Sequence, residues 1–263
     1  MKLFSRKLGP EESLNHVVIL HGLFAASDNL LTLGKGLSEQ FRVHLLDLRN
    51  HGQSPHSSLL DYDVMAKDVI DYLDDQNIKQ AALIGHSMGG KTAMQVALMY
   101  PERVEALIVA DIAPVQYSPG HEQILRGLAE LAESPVGSRQ AADEALSKWI
   151  EDWGVRQFLI KSLRRADDGD SGLVWRFNFE AIKANYTNIL AAPHGGRYEK
   201  NVLFISGARS DYILPEHKAK TQKLFPKAQL KIIPETSHWL HAEKPEVFNA
   251  MCVRFLQQSF ISQ

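Results

Sequence analysis

Cysteine is nearly absent: Cys252 is the only one among 263 residues. An intrachain disulfide is therefore excluded, as is a cluster of thiolate metal ligands. Cys252 falls in a helical stretch near the end of the chain and reads as a small buried side chain. Charge of one sign is also lacking, with 29 Lys and Arg against 31 Asp and Glu and a formal net charge of −2. These charges are interspersed, so there is no basic field for phosphate backbones and no nucleic-acid partner is expected. No stretch reaches the roughly 20 apolar residues of a membrane-spanning helix. Residues 1–10 carry Lys2, Arg6 and Lys7 with no apolar run after them, and a cytoplasmic protein without membrane attachment is expected. Internal repeats and low-complexity tracts are absent as well.

What the chain has is alternation. Residues 17–20, 43–46, 81–84 and 104–110 are short aliphatic runs followed by His21, Asp47, Gly85 and Asp111, the form of buried parallel strands. Between them, residues 62–73 set Val64, Met65, Val69, Ile70 and Leu73 on one helical stripe. The expected class is α/β, a mostly parallel sheet with helices on both faces. Residues 115–198 depart from this. Strand-like runs vanish there, Trp149, Trp153, Phe158, Trp175, Phe177 and Phe179 concentrate, and two loops rich in Gly, Ser, Pro or Asp break helical stretches. The expected organisation is a core of residues 1–114 and 199–263 interrupted by a helical cap insertion, 115–198. Sheet character resumes at 202–206 and 230–233, and a helix over 245–258 closes the chain.

Gly85-His86-Ser87-Met88-Gly89 matches G-x-S-x-G, directly after a strand and before a helix that begins near Met88. A sharp strand-to-helix turn brings backbones close, which is why its flanks are glycine. Ser87 would stand at the carboxyl edge of the sheet as a nucleophile, with the Met88 N–H aimed where an acyl oxygen becomes negative. The same residues, Gly85 to Gly90-Lys91-Thr92, also satisfy the phosphate-binding pattern G-x-x-x-x-G-K-[ST]. His21-Gly22-Leu23-Phe24 and a late histidine loop decide for acyl transfer, because a nucleotide hydrolase needs neither. Lys91 is then expected on the helix surface. The second oxyanion donor is expected at Leu23, with Phe24 the alternative, and His21 as a shaper of that turn.

The base is expected late, at His238 in Pro234-Glu235-Thr236-Ser237-His238-Trp239, with His241 as its rival. No carboxylate or cysteine has a ligand spacing to the two histidines, so no metal site is expected. Two aspartates end strands close enough to serve as the acid, Asp211 after the penultimate strand and Asp111 after the nucleophile helix. Trp149, Trp153, Phe158 and Trp175 point to an apolar cavity or to a core of the insertion itself.

Gly85 to Gly90, His21 to Phe24, Asp47-Leu48-Arg49-Asn50-His51-Gly52-Gln53-Ser54 and Gly207 to Pro215, in this order, resemble the α/β-hydrolase family over nearly the whole chain. Asp111-Ile112-Ala113-Pro114, Trp175-Arg176-Phe177-Asn178 and His238-Trp239 through Pro245 resemble the small bacterial esterases of the YbfF type. The resemblance implies a serine hydrolase without cofactor, cleaving short acyl esters or acyl-CoA thioesters beneath a helical cap, and it implies Asp111 as the acid. A ligand-binding protein that keeps the fold without turnover is the reading from another class.

Overall fold

The computed structural model describes residues 1–167 and 172–261. In chain order its strands are β1 (Ser5–Leu8), β2 (His16–Leu20), β3 (Arg42–Leu46), β4 (Ala81–His86), β5 (Val104–Ala110), β6 (Leu163–Arg165), β7 (Leu173–Trp175), β8 (Val202–Gly207) and β9 (Ala228–Ile233). Seven of them form one sheet in the order β1-β3-β2-β4-β5-β8-β9, in which β1 runs antiparallel to β3 and every other pair is parallel. The helices α1 (Leu31–Leu37), α2 (Tyr62–Asp75) and α3 (Met88–Met99) connect the first strands. Five more, α4 (Glu122–Glu133), α5 (Arg139–Ser147), α6 (Trp153–Ile160), α7 (Phe179–Ala184) and α8 (Tyr186–Leu190), lie between β5 and β8. α9 (Lys218–Leu224), α10 (Leu240–Glu243) and α11 (Pro245–Ile261) complete the chain.

The inner strands β2, β4, β5 and β8 are apolar on both faces because both faces are covered. Val18, Leu20, Leu83 and Val109 pack with Met65, Val69 and Met94 of α2 and α3. Their neighbours Val17, Ile19, Ala82 and Ile108 pack with Leu33 and Leu37 of α1 and with Phe248 and Cys252 of α11. Local signals agree with this packing: Asp61 caps α2 by accepting from Val64 N at 2.8 Å, a bond worth about 1 kcal/mol.

One expectation is overturned, and one strand had no counterpart in the sequence reading. Ser5–Leu8 forms an edge strand although it carries no apolar run, because an edge strand needs a partner on one side only, here β3. Strand structure does not vanish from the insertion: β6 and β7 form an antiparallel hairpin with Leu163 opposite Trp175. Of the two loops expected there, the acidic one falls on residues 168–171 and lies outside the described residues. Among the described residues no helix is long and apolar enough to cross a membrane.

Parallel strands end together, so the loops after β2, β4, β5, β8 and β9 converge on one edge of the sheet, the place where α/β folds build sites.

Candidate active site

Ser87 occupies the junction between β4 and α3 with φ 54° and ψ −120°. That left-handed conformation costs a non-glycine residue about 1–3 kcal/mol, and the surrounding backbone enforces it. Ser87 N donates to Ala110 O at 3.0 Å, and Lys91 N donates to Ser87 O at 3.0 Å to start the helix. The flanking glycines are obligatory: a Cβ on Gly85 would lie 2.1 Å from Gly89 O, and one on Gly89 would lie 2.3 Å from Leu20 O.

One strand over, Asp111 ends β5 with φ 52° and is fully buried. Its carboxylate is saturated with donors. Oδ1 accepts from Gly207 N at 3.0 Å and from Ser206 Oγ at 3.2 Å, while Oδ2 accepts from Ser210 Oγ and, at 2.8 Å, from His238 Nδ1. A carboxylate at Nδ1 assigns the ring proton to that nitrogen and leaves Nε2 as the basic one. Tyr212 stacks on the imidazole, centroids 4.1 Å apart and planes 25° apart, and the His86 Nε2–H donates to His238 O at 2.8 Å. Asp211 is exposed and, among the described residues, makes no hydrogen bond to the imidazole. Ser87 and His238 line the same cavity, with no hydrogen bond between their side chains.

The turn after β2 lies against the elbow, since a Cβ on Gly22 would approach Ser87 Cβ to 3.3 Å. Two buried histidines shape it. His21 donates from Nδ1 to Gly22 O at 2.8 Å and accepts Leu48 N at Nε2, 3.0 Å. His51 donates from Nδ1 to Arg49 O at 2.9 Å and accepts Phe24 N at Nε2, 3.2 Å. Burial holds both neutral, lowering His21 and pushing His51 down to about 3. The Phe24 N–H is thereby taken, whereas the Leu23 and Met88 N–H groups have no acceptor among the described residues. Nothing in the local sequence singled out His51 for this task, because its partner lies 27 residues away.

His241 stands behind His86 with centroids 4.4 Å apart, and burial lowers it to about 4. Among the described residues, no three His, Cys, Asp or Glu side chains are grouped to hold a metal ion.

The cavity over Ser87 measures about 950 Å³. Its walls include Ile124, Val155, Phe158 and Leu159 from the insertion and Trp239 from the His238 loop. Of the four aromatics read as cavity wall or as core of their own segment, Phe158 alone lines the cavity. Trp175 is buried with its Nε1–H on Leu128 O, Trp149 donates to Glu130, and Trp153 is 65% exposed. Lys91 departs from the expectation: it is no surface lysine but is 1% exposed, with Nζ donating to Leu190 O at 2.9 Å and Ala191 O at 2.6 Å. α3 is buried almost throughout, between the sheet, α2 and residues 190–196.

Compared with known proteins, residues 15–245 match the model of the alpha/beta hydrolase fold family. The chain is similar to Esterase YbfF of Escherichia coli, 35% identical over 259 residues that cover 97% of this chain and 99% of that one. It is also similar to the sn-1-specific diacylglycerol lipase ABHD11 of Mus musculus, 36% identical over 95% of this chain and 83% of the relative. Among solved structures, a marine microorganism esterase superposes with a TM-score of 0.91 at 36% identity, covering 97% of this chain and 99% of that one.

Proposed function

The chain belongs to the α/β-hydrolase family, and from that premise we propose that it is a serine esterase acting on small acyl esters, with Ser87 as nucleophile, His238 as general base and Asp111 as the acid that orients it. The observation that carries this reading is the 2.8 Å bond from His238 Nδ1 to the buried Asp111 carboxylate, on the sheet edge that holds Ser87. The names of the relatives, esterase and diacylglycerol lipase, agree with it.

In this mechanism His238 Nε2 takes the Ser87 proton as Oγ attacks the ester carbonyl, and the carbonyl oxygen becomes negative between the Leu23 and Met88 N–H groups. Among the described residues both donors are unpaired beforehand, so they meet the charge with little reorganisation. The imidazolium, stabilised by Asp111, gives its proton to the departing alkoxide. Water, deprotonated by the same Nε2, then releases the acid and restores Ser87. We assign residues 115–198 as a cap that walls the cavity, and no step calls for a cofactor. An acyl-CoA thioester would follow the same course, with a thiol leaving.

Hydrolysis of 4-nitrophenyl acetate, butyrate and octanoate by the wild type and by Ser87→Ala tests the assignment. Turnover by the wild type and its loss in a folded variant are expected; equal rates in both would refute it, and inertness of the wild type toward esters and thioesters would favour a binding protein.

A further inference from the structure

Lys91 gives the nucleophile segment its resemblance to a phosphate loop, and the proposed acyl transfer leaves it idle. Its environment is unusual for an ammonium. Besides the carbonyls of Leu190 and Ala191, Nζ faces the rings of Tyr62 at 5.6 Å and Tyr117 at 4.7 Å. No carboxylate lies within 4.0 Å of it among the described residues. Burial, and then the like charge of Lys220, lower it to about 7. Buried ammonium groups ordinarily sit against a carboxylate; this one is held by dipoles and ring faces, which leave its charge uncompensated.

Its position relates this charge to the reaction. Lys91, Tyr62, Tyr117 and Leu190 all line the cavity that Ser87 lines, so three of the four groups around Nζ belong to the cavity wall, Ala191 being the exception. Lys91 follows Ser87 by one turn of α3, about 6 Å along the axis at 1.5 Å per residue. Both tyrosine hydroxyls are committed, Tyr62 to Ile189 O at 2.6 Å and Tyr117 to Tyr212 O at 2.5 Å. An ammonium has three N–H donors, and two serve the carbonyls.

We propose that Lys91 is an anion subsite of this cavity, and that the esters it favours carry a carboxylate on the acyl group. The inference rests on acyl transfer at Ser87. The acyl side is assigned because the alcohol departs in the first step, whereas the acyl group stays on Ser87, in the cavity whose wall Lys91 lines. The substrate class is then the half-esters of short dicarboxylic acids.

The test compares kcat/KM for 4-nitrophenyl hydrogen glutarate with that for 4-nitrophenyl pentanoate, an uncharged ester of the same acyl length, in the wild type and in Lys91→Met at pH 6. The half-ester-to-neutral ratio is expected to fall at least tenfold in the variant. Free glutarate is expected to inhibit pentanoate hydrolysis by the wild type competitively and at least tenfold more strongly than glutaramide. An unchanged ratio in a folded variant overturns the proposal. If Lys91→Met does not fold, the inhibition pair decides alone, and glutarate no better than glutaramide overturns it. If the wild type cleaves neither ester, the acyl-transfer reading has failed separately; glutarate binding to Ser87→Ala by calorimetry then tests the anion subsite itself, and no binding overturns it.

Discussion

Replacing Asp111 by Asn changes one oxygen of a buried carboxylate into an NH2 group, and the hydrogen bonds around it fix the consequence. The carboxylate receives four donors: Gly207 N, Ser206 Oγ, Ser210 Oγ and His238 Nδ1. Three of them can be met by an amide, because the hydroxyls rotate and the remaining oxygen can keep the Gly207 N–H. His238 is the one that must adapt, since an NH2 facing Nδ1 obliges that nitrogen to accept and moves the ring proton to Nε2. A protonated Nε2 cannot take the Ser87 proton. The expected loss in kcat is about 10⁴-fold, equivalent to about 5 kcal/mol of transition-state stabilisation, with KM changed much less. Asp211→Asn, at an exposed carboxylate that lines the cavity but makes no bond to the imidazole, leaves the base intact and is expected to lose less than about 10-fold. Steady-state hydrolysis of 4-nitrophenyl butyrate, with circular dichroism as the folding control, measures both. Asp111→Asn retaining a tenth of the activity, or Asp211→Asn being the crippled one, would refute the reasoning.

His51→Ala removes the acceptor of the Phe24 N–H and loosens the turn that presents Leu23; kcat is expected to fall about 10-fold to 100-fold with KM little changed, and an unaltered kcat would show that the turn holds itself. Gly89→Ala places a Cβ 2.3 Å from Leu20 O and 2.5 Å from His21 O, both backbone atoms, so a loss of at least about 1–3 kcal/mol is expected in urea denaturation. Acid should destabilise the fold before the carboxylates titrate. Burial pushes His44 and His51 down to about 3 and His241 to about 4, from 6.5. These bases are depressed, so the unfolded chain protonates them below 6.5 while the folded one does not. Their stabilisation is complete above pH 6.5 and is lost as pH falls toward the folded values. Urea midpoints at pH 7 and pH 5 should differ accordingly, with at least about three protons taken up on unfolding at pH 5, since His21 and His86 are lowered as well; fewer than one would contradict the burial of these rings.

How far the chain could be read before folding depended on the range of the interaction involved. The elbow was legible because its constraint is local: Gly85 and Gly89 sit within two residues of Ser87, and the clash their side chains would cause involves the adjoining strand and helix. The parallel core was legible for a similar reason, as strands buried on both faces are continuous aliphatic runs. The choice between Asp111 and Asp211 was not, because both end neighbouring strands. What separates them in space is the pairing of β5 with β8 and the Ser206, Gly207 and Ser210 donors gathered around Asp111, some 95 residues distant. Lys91 was misread because helical periodicity implies an outer face, and α3 has almost none once α2 and residues 190–196 pack over it. The aromatics of the insertion were ambiguous for the same reason. Composition tells that Trp149 and Trp175 bury surface, while only their partners Glu130 and Leu128 tell which surface.

The claim that Ser87 is an activated nucleophile can be tested on the residue itself. Treating the protein with diethyl 4-nitrophenyl phosphate and mapping the adduct by peptide mass spectrometry is predicted to give one diethylphosphoryl group per chain, on Ser87, with none formed in Asp111→Asn over the same period. No adduct on Ser87 in the wild type, or equal labelling of the two proteins, would contradict it.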